Sequence, residues 1–323
     1  MENNQDLLQV GKTYLESKDY KEAEKSFQKA LDALLETKGK YDEKTAGAYT
    51  WLGWTYYESE NYSKALESYQ TAYEILLKIF GSEHKDTKIV KMSIGHVYRN
   101  IAGLEDDDKK AIEYFKKVLE IYEEDLGLEH IDTAEIYSRL GTLYSLQDEC
   151  DEALAWHIKA LTAYEKVLEK DDPILGNAYG RVGTSFTRVD SGADDDYKIA
   201  EINLIKAINI LENSSENDTF AFACDYARLA EIYIYREDYP KALELLKKAL
   251  PIHEKYVEEE LHSKMVANDY RNIGYIYDKQ NNLNEALEWY TEAVNRLEIL
   301  YGADDPQTIS IRALLDGVKE RMD

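Results

Sequence analysis

The sequence is poor in the residues that interrupt helices, form disulfides or cross membranes. Only four of its 323 residues are proline, all after position 170. This scarcity favours long helices, because proline interrupts the helical hydrogen-bond ladder. The two cysteines, Cys150 and Cys224, lie far apart and outside any C-x-x-C pattern, so we expect two reduced thiols in a cytoplasmic protein. No apolar run approaches the roughly 18 residues that a membrane-spanning helix needs.

Positive charge is also scarce. Lysine and arginine number 39 against 64 aspartates and glutamates, and the net charge is −25. A polyanion repels nucleic acid and anionic lipid, so we predict that neither nucleic acid nor membrane is a partner. The segment Met1–Asp6 has no basic flank and no apolar stretch, so no secretory signal is predicted.

A pattern of apolar residue, glycine, two variable residues and an aromatic residue recurs along the chain. Its small residues are Gly11, Gly53, Gly95, Gly141, Gly183, Ala230 and Gly274, and three of their six intervals are 42 residues. An alanine follows twelve residues after five of them, at Ala23, Ala65, Ala153, Ala242 and Ala286. In the third and fifth copies it comes later, at Ala111 and Ala200. We therefore predict Asp-rich insertions in the turns within Asn100–Lys110 and Asp190–Ile199.

Each copy reads as two helices. Apolar residues recur at i, i+3, i+4 and i+7 before the turn, and again after it. Glycine and alanine stand where two helix backbones must approach closely. Gly39, Gly81, Gly127 and Gly302 are predicted to end second helices in a left-handed conformation. Pro240 is predicted to begin a helix, and Pro251 to end or kink it.

This succession of aromatic, Leu-Gly, aromatic and Ala-aromatic-Ala resembles the tetratricopeptide repeat, over nearly the whole chain. The period exceeds the usual 34, and the linkers Phe80–Thr87 and Leu126–Ala134 are similar to those of the kinesin-light-chain subclass. The resemblance implies an all-α, right-handed α-solenoid of seven helix-turn-helix repeats, forming one domain over residues 1–323. We place the repeats at about 3–39, 43–81, 86–127, 132–170, 174–213, 219–260 and 265–302, with a C-terminal cap helix at 306–321.

Little in the sequence indicates chemistry. None of the six histidines has a histidine or cysteine partner at metal-ligand spacing, and His84 and His130, at equivalent linker positions, are predicted to cap or pack. The runs Asp106–Asp108 and Asp194–Asp196 lack the ligand pattern of a calcium loop and are interpreted as solvated loops. Phosphate-binding glycine loops and nucleophile elbows are absent. We predict no enzyme, no catalytic residue, no metal and no cofactor.

The repeat register separates core positions from positions that are free to bind a partner. With the small residue numbered 8, positions 4, 7, 8 and 11 face the second helix, and positions 2, 5, 6, 9, 12 and 13 lie opposite. In tetratricopeptide arrays that opposite side lines the concave groove. Six of the ten arginines fall on it, against two of 29 lysines and five acidic residues. These arginines are Arg99, Arg139, Arg181, Arg188, Arg228 and Arg271.

Arginine is suited to recognition because its planar fork makes bidentate bonds to carboxylate or phosphate. Position 6 carries an arginine in three consecutive repeats and an amide in the seventh: Arg139, Arg181, Arg228 and Asn272. Helices packed about 8–10 Å apart would present these side chains as a ladder along an extended peptide. The alternative is internal neutralisation, with Glu135 reaching Arg139 and with Asp225 or Glu231 reaching Arg228.

The N-terminal part of the same side is aromatic. Trp51, Trp54 and Tyr57 lie beside Met92 and His96, and exposed aromatic residues in a concavity are typical anchor pockets. We include Trp54 and Tyr57 among the predicted ligand-binding residues. Alternatively, Trp51 packs on the neighbouring helix, or the patch supports a dimer.

The function predicted from these features is a protein-interaction scaffold or adaptor. We expect it to bind a protein or peptide with acidic groups in the groove, as a monomer or weak homodimer. The alternative is a peptide-sensing regulator that changes conformation and acts on a separate effector protein. The first repeat begins within about six residues of Met1, so we expect no DNA-binding or effector module before it. A carboxylate- or phosphate-binding enzyme accessory is a third possibility.

Overall fold

A computed structural model describes residues 4–189, 194–257 and 260–322. Throughout these residues the ordered elements are helices, and no strand occurs. The helices are α1 (Asn4–Glu16), α2 (Tyr20–Thr37), α3 (Glu43–Glu58), α4 (Tyr62–Phe80), α5 (Lys85–Leu104), α6 (Asp108–Asp125), α7 (Ile131–Leu146), α8 (Cys150–Val167), α9 (Pro173–Arg188), α10 (Asp194–Leu211), α11 (Phe220–Tyr235), α12 (Tyr239–His253), α13 (Glu260–Lys279), α14 (Leu283–Tyr301) and α15 (Pro306–Met322). A 3-10 turn, Glu254–Tyr256, follows α12.

Successive helices pair as the repeat predicts. The pairs α1–α2, α3–α4 and α5–α6 pack closely, as do α9–α10, α11–α12 and α13–α14. The predicted all-α solenoid fold is thereby confirmed. The chain divides into two compact units, an N-terminal unit that ends at Leu143 and a C-terminal unit that begins at Tyr144. A single domain over residues 1–323 stays a prediction.

Close helix packing explains the recurring small residue. A Cβ on Gly53 would lie 2.8 Å from the Tyr69 ring, and one on Gly11 would lie 2.5 Å from the Phe27 ring. Such distances are far inside van der Waals contact, so a larger residue would push the paired helices apart. The ring on the second helix therefore fills the space that the glycine leaves.

The turn between the two helices of a repeat is a regular motif built without glycine. Five residues at the same repeat position have positive φ: Lys18, Glu60, Asp148, Glu237 and Asn281. At Glu60 the backbone N–H bonds Tyr57 O, while the next N–H, of Asn61, bonds Tyr56 O. This is the Schellman arrangement, which normally places glycine at the left-handed residue. The sequence pattern did not single out this turn.

The linker glycines follow the prediction in φ, and two of them depart from it in ψ. Gly39, Gly81, Gly127 and Gly302 all have positive φ. At Gly81 and Gly302, however, ψ is 173° and 170°, so these two are extended and not left-handed helical, a region open almost only to glycine. The extended ψ directs the chain away from the second helix toward the next first helix.

The next first helix begins with a side-chain cap. His84 Nδ1 accepts the Asp86 N–H at 3.3 Å, and His130 Nδ1 accepts the Asp132 N–H at 3.2 Å. The predicted capping role of these histidines is confirmed. In the equivalent linker before α15, Asp305 accepts the Gln307 N–H at 2.9 Å, which satisfies donors that the first helical turn leaves unpaired.

The two predicted insertions do not enlarge turns in the way expected. The first lengthens α5, which runs to Leu104, by about one turn beyond its equivalents. Asp107 caps α6, and Asp194–Asp196 form the first turn of α10. Asp106 lies in the exposed linker before α6, as the solvated-loop interpretation expects. That interpretation was wrong for Asp108 and for Asp194–Asp196, which lie in first helical turns, where negative charge is favoured. The part of the second insertion at 190–193 lies outside the described residues.

The two prolines of α12 and the last helix lie where the sequence predicts them. Pro240 lies in the first turn of α12, as predicted, and Pro251 lies in its last turn, two residues before the helix ends. The final helix, α15, takes the place of another first helix. Its position 8 is Asp316, whose carboxylate pairs with Lys319 at 3.1 Å, so α15 offers no small residue on which a second helix could pack.

Candidate binding face

The candidate site lies on the first helices, opposite their second helices. Position 8 is in contact with the second helix, as the Gly53–Tyr69 approach illustrates. We call the side formed by positions 2, 5, 6, 9, 12 and 13 the open face.

The open face of the N-terminal unit begins with a stack of aromatic rings. Trp51 stacks on Phe27 at a centroid distance of 5.9 Å and on Trp54 at 5.3 Å, and the Lys12 ammonium lies 4.5 Å from the Trp51 ring. Trp54 is 45% exposed and donates its indole N–H to Glu58 at 3.0 Å. A cleft of about 250 Å³ lies over these rings. Trp51 therefore packs on the first repeat, while Trp54 remains accessible.

Tyr57, the second predicted aromatic residue, is half-buried. Its hydroxyl accepts a hydrogen bond from the Asn100 amide at 2.8 Å, and its ring meets Tyr62 edge-on. This ring is held in place by neighbours on two helices, so it contributes a rigid wall and not a free anchor.

The two arginines of the N-terminal unit differ in their surroundings. Arg99 is half-buried, and among the described residues no carboxylate lies within ion-pair distance of it. Burial lowers the pKa of His96, and the Arg99 charge lowers it further. Arg139 instead pairs with Glu135 at 2.8 Å, although its side chain stays 54% exposed. Internal pairing thus occupies Arg139, whereas Arg99 has no carboxylate within ion-pair distance in the described part of the chain.

In the C-terminal unit, Arg181 is exposed and acts electrostatically on two buried groups. Burial lowers the pKa of His157 to about 3, and the Arg181 charge adds to this effect. Burial also raises the pKa of Asp225 well above its usual range, against the Arg181 charge.

Arg188 is tied to a turn. Its guanidinium donates to the Ser145 hydroxyl at 2.5 Å and to the Asp148 carboxylate at 2.7 Å. Asp148 is the left-handed residue of the turn that precedes α8. Arg188 therefore fastens one repeat to the next.

The last predicted residues also make contacts within the protein. Arg228 pairs with Glu231 at 2.9 Å. Arg271 donates to the Asn272 side-chain oxygen at 2.9 Å, and Asn272 is 6% exposed. As with Arg99, the described residues offer Arg271 no carboxylate partner. The ladder of Arg139, Arg181 and Arg228 draws members from both compact units, and its spacing stays a prediction.

The structure brings together polar residues that the sequence reading missed. His253 is fully buried, and its Nδ1 lies 2.6 Å from the Asp269 carboxylate, with Nε2 3.6 Å from Cys224 Sγ. Burial raises the pKa of the Cys224 thiol to about 12, so this thiol is a poor nucleophile. Asp225 is buried nearby. Aligning the repeats by position would have revealed His253 and Asp269, because most other repeats carry apolar or aromatic residues at these two positions.

Other kinds of site find little support within the described ranges. No cluster of three histidine, cysteine or acidic side chains there could hold a metal ion. Among the same residues, no helix combines the length and apolar character of a membrane span.

Comparison with known proteins identifies the repeat. A model of the tetratricopeptide repeat family matches residues 6–78, 93–166, 132–190 and 218–299. Comparison with curated protein sequences gives no significant match.

Solved structures of helical-repeat proteins are similar to this chain. The apo form of RapI is 15% identical and covers 98% of this chain and 81% of its own, with a TM-score of 0.54. A signal-transduction ATPase with a tetratricopeptide repeat sensor from Pyrococcus horikoshii is 15% identical, covering 99% of this chain and 44% of its own, with a TM-score of 0.52. A kinesin-light-chain repeat protein from Podosopora anserina is 16% identical, covering 68% and 99%, with a TM-score of 0.40. At these identities the likeness concerns the fold.

Proposed function

The chain belongs to the tetratricopeptide repeat family, and we propose that it is a non-catalytic scaffold or adaptor that binds a partner peptide or protein bearing acidic groups on the open face. Repeats of this family present successive helix faces to proteins and peptides, so protein binding is the role that the fold itself supports. The acidic character of the partner is our inference from the arginines.

One observation carries this proposal. Arginine is concentrated on the open face of a protein whose net charge is −25, and two of these arginines, Arg99 and Arg271, have no carboxylate partner among the described residues. A partly buried guanidinium gains a charge-assisted bond when a ligand carboxylate reaches it. Arg139 and Arg228 are less available, because Glu135 and Glu231 already occupy them.

The test compares single substitutions of the available arginines with a matched control. Fluorescence anisotropy measures binding of an Asp/Glu-rich peptide and of the same peptide with Asn and Gln in place of the acids. We expect Arg99→Ala or Arg271→Ala to weaken binding of the acidic peptide by about tenfold, the value of one charged hydrogen bond. Arg236→Ala, which removes an arginine paired with Glu201 away from the open face, serves as the control.

Two results would overturn the acidic-partner proposal. One is equal affinity of wild type, Arg99→Ala and Arg271→Ala for the acidic peptide. The other is equal binding of the acidic and amide peptides by wild type. Relieving internal pairing gives a positive check: Glu135→Gln should tighten binding, because it releases Arg139.

A regulatory form of this role is favoured by the C-terminal unit. Its repeats meet through buried polar contacts, such as His157 with Ser185 at 2.8 Å and His253 with Asp269. A polar contact that depends on hydrogen-bond geometry is more easily rearranged by a ligand than apolar packing. If this holds, binding of a peptide should change the rate of amide hydrogen exchange in α9 to α13.

A further inference from the structure

One repeat position changes character in the last two repeats. At position 3 the second to fifth repeats carry buried apolar residues, namely Ala48, Val90, Ile136 and Ala178, each at most 4% exposed, while the first repeat has an exposed aspartate, Asp6. The sixth and seventh repeats carry aspartate there instead, Asp225 and Asp269. Burying a carboxyl is costly unless a partner compensates it, so each aspartate requires an explanation.

Asp269 has a partner built into the fold. His253, on the preceding second helix, places Nδ1 2.6 Å from the Asp269 carboxylate. The residues equivalent to His253 in other repeats are apolar or aromatic, among them Leu34, Leu76 and Leu211. Histidine and aspartate thus replace an apolar pair together, and the polar contact is self-contained.

Asp225 has no such partner. The residue at the position equivalent to His253 is Leu211, which is fully buried. No described residue donates a side-chain hydrogen bond to Asp225 or forms an ion pair with it. The side chain is only 5% exposed, and burial holds the pKa of its carboxyl well above the usual range. The Arg181 charge offsets part of the cost of burying this acid, but no hydrogen-bond donor among the described residues compensates the rest.

The carboxyl lies between α9 and α11, against the buried Gly180. Its Oδ1 and Oδ2 are 2.5 and 2.6 Å from the point where a Cβ of Gly180 would lie. Gly180 occupies position 5 of the fifth repeat, which is an open-face position. The missing side chain leaves the space that the carboxyl fills, so glycine here admits Asp225 to the floor of that face.

We propose that Asp225, admitted by Gly180, is a recognition site for a protonated amino or guanidino group of the peptide that docks on the open face of the C-terminal unit. The inference rests on the proposed function and deepens it: the partner carries a lysine, an arginine or an N-terminal amine besides its acidic groups. A carboxylate that lacks internal donors accepts the N–H bonds of a cationic group, and these are strong when solvent is excluded.

The chemistry of the site links binding to protons. Burial raises the pKa of the Asp225 carboxyl, against the Arg181 charge, and a bound cation favours the ionised form. Binding should then release a proton and tighten as pH rises. An ordered water that satisfies Asp225 would produce no such linkage with a peptide.

The experiment selects a ligand before it tests the residue. Short random peptides displayed on phage are selected on the wild-type protein, and the best binder is synthesised. We expect selected peptides to share a lysine or arginine. Replacing that residue by norleucine or citrulline should weaken binding to wild type by about tenfold or more. Asp225→Asn should weaken binding of the unmodified peptide similarly, with no further loss when both changes are combined.

Further variants keep the result interpretable. Asp225→Ala provides a second test, because alanine occupies this position in two other repeats. Gly180→Ala should also weaken binding, since its Cβ displaces the carboxyl. The control is Asp218→Asn, the same change at an exposed residue that pairs with Lys255, and it should leave affinity unchanged.

The outcomes separate this inference from the proposed function. Selection of no peptide on wild type overturns the proposed function, and the present inference with it. Selected peptides that bind wild type and Asp225→Asn equally, or that share no cationic residue, overturn this inference alone. A proton release that persists in Asp225→Asn also overturns it.

Discussion

At the scale of single residues, the repeats differ from one another by polar side chains buried at positions where other repeats pack apolar or aromatic ones. His157 stands at the position that Phe27, Tyr69 and Leu204 fill in other repeats. Its Nδ1 contacts the Ser185 hydroxyl at 2.8 Å, while its Nε2 is buried without a described partner. A half-satisfied buried imidazole is a destabilising feature.

His157 should make stability depend on pH. Burial lowers its pKa to about 3. Below about pH 6.5 this histidine is therefore protonated in the unfolded chain but stays neutral in the folded protein. The free energy of unfolding therefore falls as pH drops from about 6.5 toward 3, by about 2 kcal/mol at pH 5. We expect His157→Leu to raise stability and to flatten this dependence, measured by denaturant unfolding at several pH values.

The control for losing one histidine is His130→Asn, because that side chain is an exposed helix cap. A pH dependence that is unchanged in His157→Leu would contradict the burial argument.

At the scale of elements, the helix pair is held by two complementary devices. The recurring glycine allows the second helix to approach, and a Schellman turn reverses the chain between the helices. At five described turns the left-handed residue is lysine, glutamate, aspartate or asparagine, although such a backbone costs most residues about 1–2 kcal/mol. The turn is therefore imposed by helix packing, against local preference.

Relieving that strain should stabilise the protein. Glu60 has φ of 59°, so Glu60→Gly should raise the free energy of unfolding by about 1 kcal/mol. The same change at Glu67, an exposed residue inside α4, should lower it by about 1 kcal/mol. Calorimetric or denaturant unfolding of both variants checks the sign. A loss of stability in Glu60→Gly would mean that the Glu60 side chain makes a contribution the backbone argument omits.

At the scale of the whole molecule, charge sets the conditions under which the chain works. With a net charge of −25, the acidic side chains repel one another and attract cations over the screening length, which salt concentration sets. The arginines of the open face are local exceptions to that field. An acidic partner therefore meets long-range repulsion and short-range attraction, so specificity depends on close contact.

Salt should separate these two effects. Between about 0.01 M and 0.15 M salt the screening length falls from about 30 Å to 8 Å. We expect Tm to rise over this range, because self-repulsion weakens, with differential scanning calorimetry as the measurement. A fall in Tm would show that attractive surface pairs outweigh the repulsion of the net charge.

The sequence by itself determined the helices, the repeat register and the capping histidines. These features rest on local periodicity, on small residues at fixed spacing and on side chains that reach their own backbone two residues away. It also identified which arginines lie on the open face, because a helical register fixes direction from the axis.

Only the tertiary structure decided which of those arginines are already paired. Asp148 reaches Arg188 from another repeat, which the register alone does not show, and Glu231, rather than Asp225, pairs with Arg228. The tertiary structure also showed that Asp225 lies beside Gly180 with no side-chain donor among the described residues, which only the packing of neighbouring helices reveals. Local spacing determines the direction of a side chain from the helix axis. Whether its charge is compensated depends on the residues that other helices place beside it.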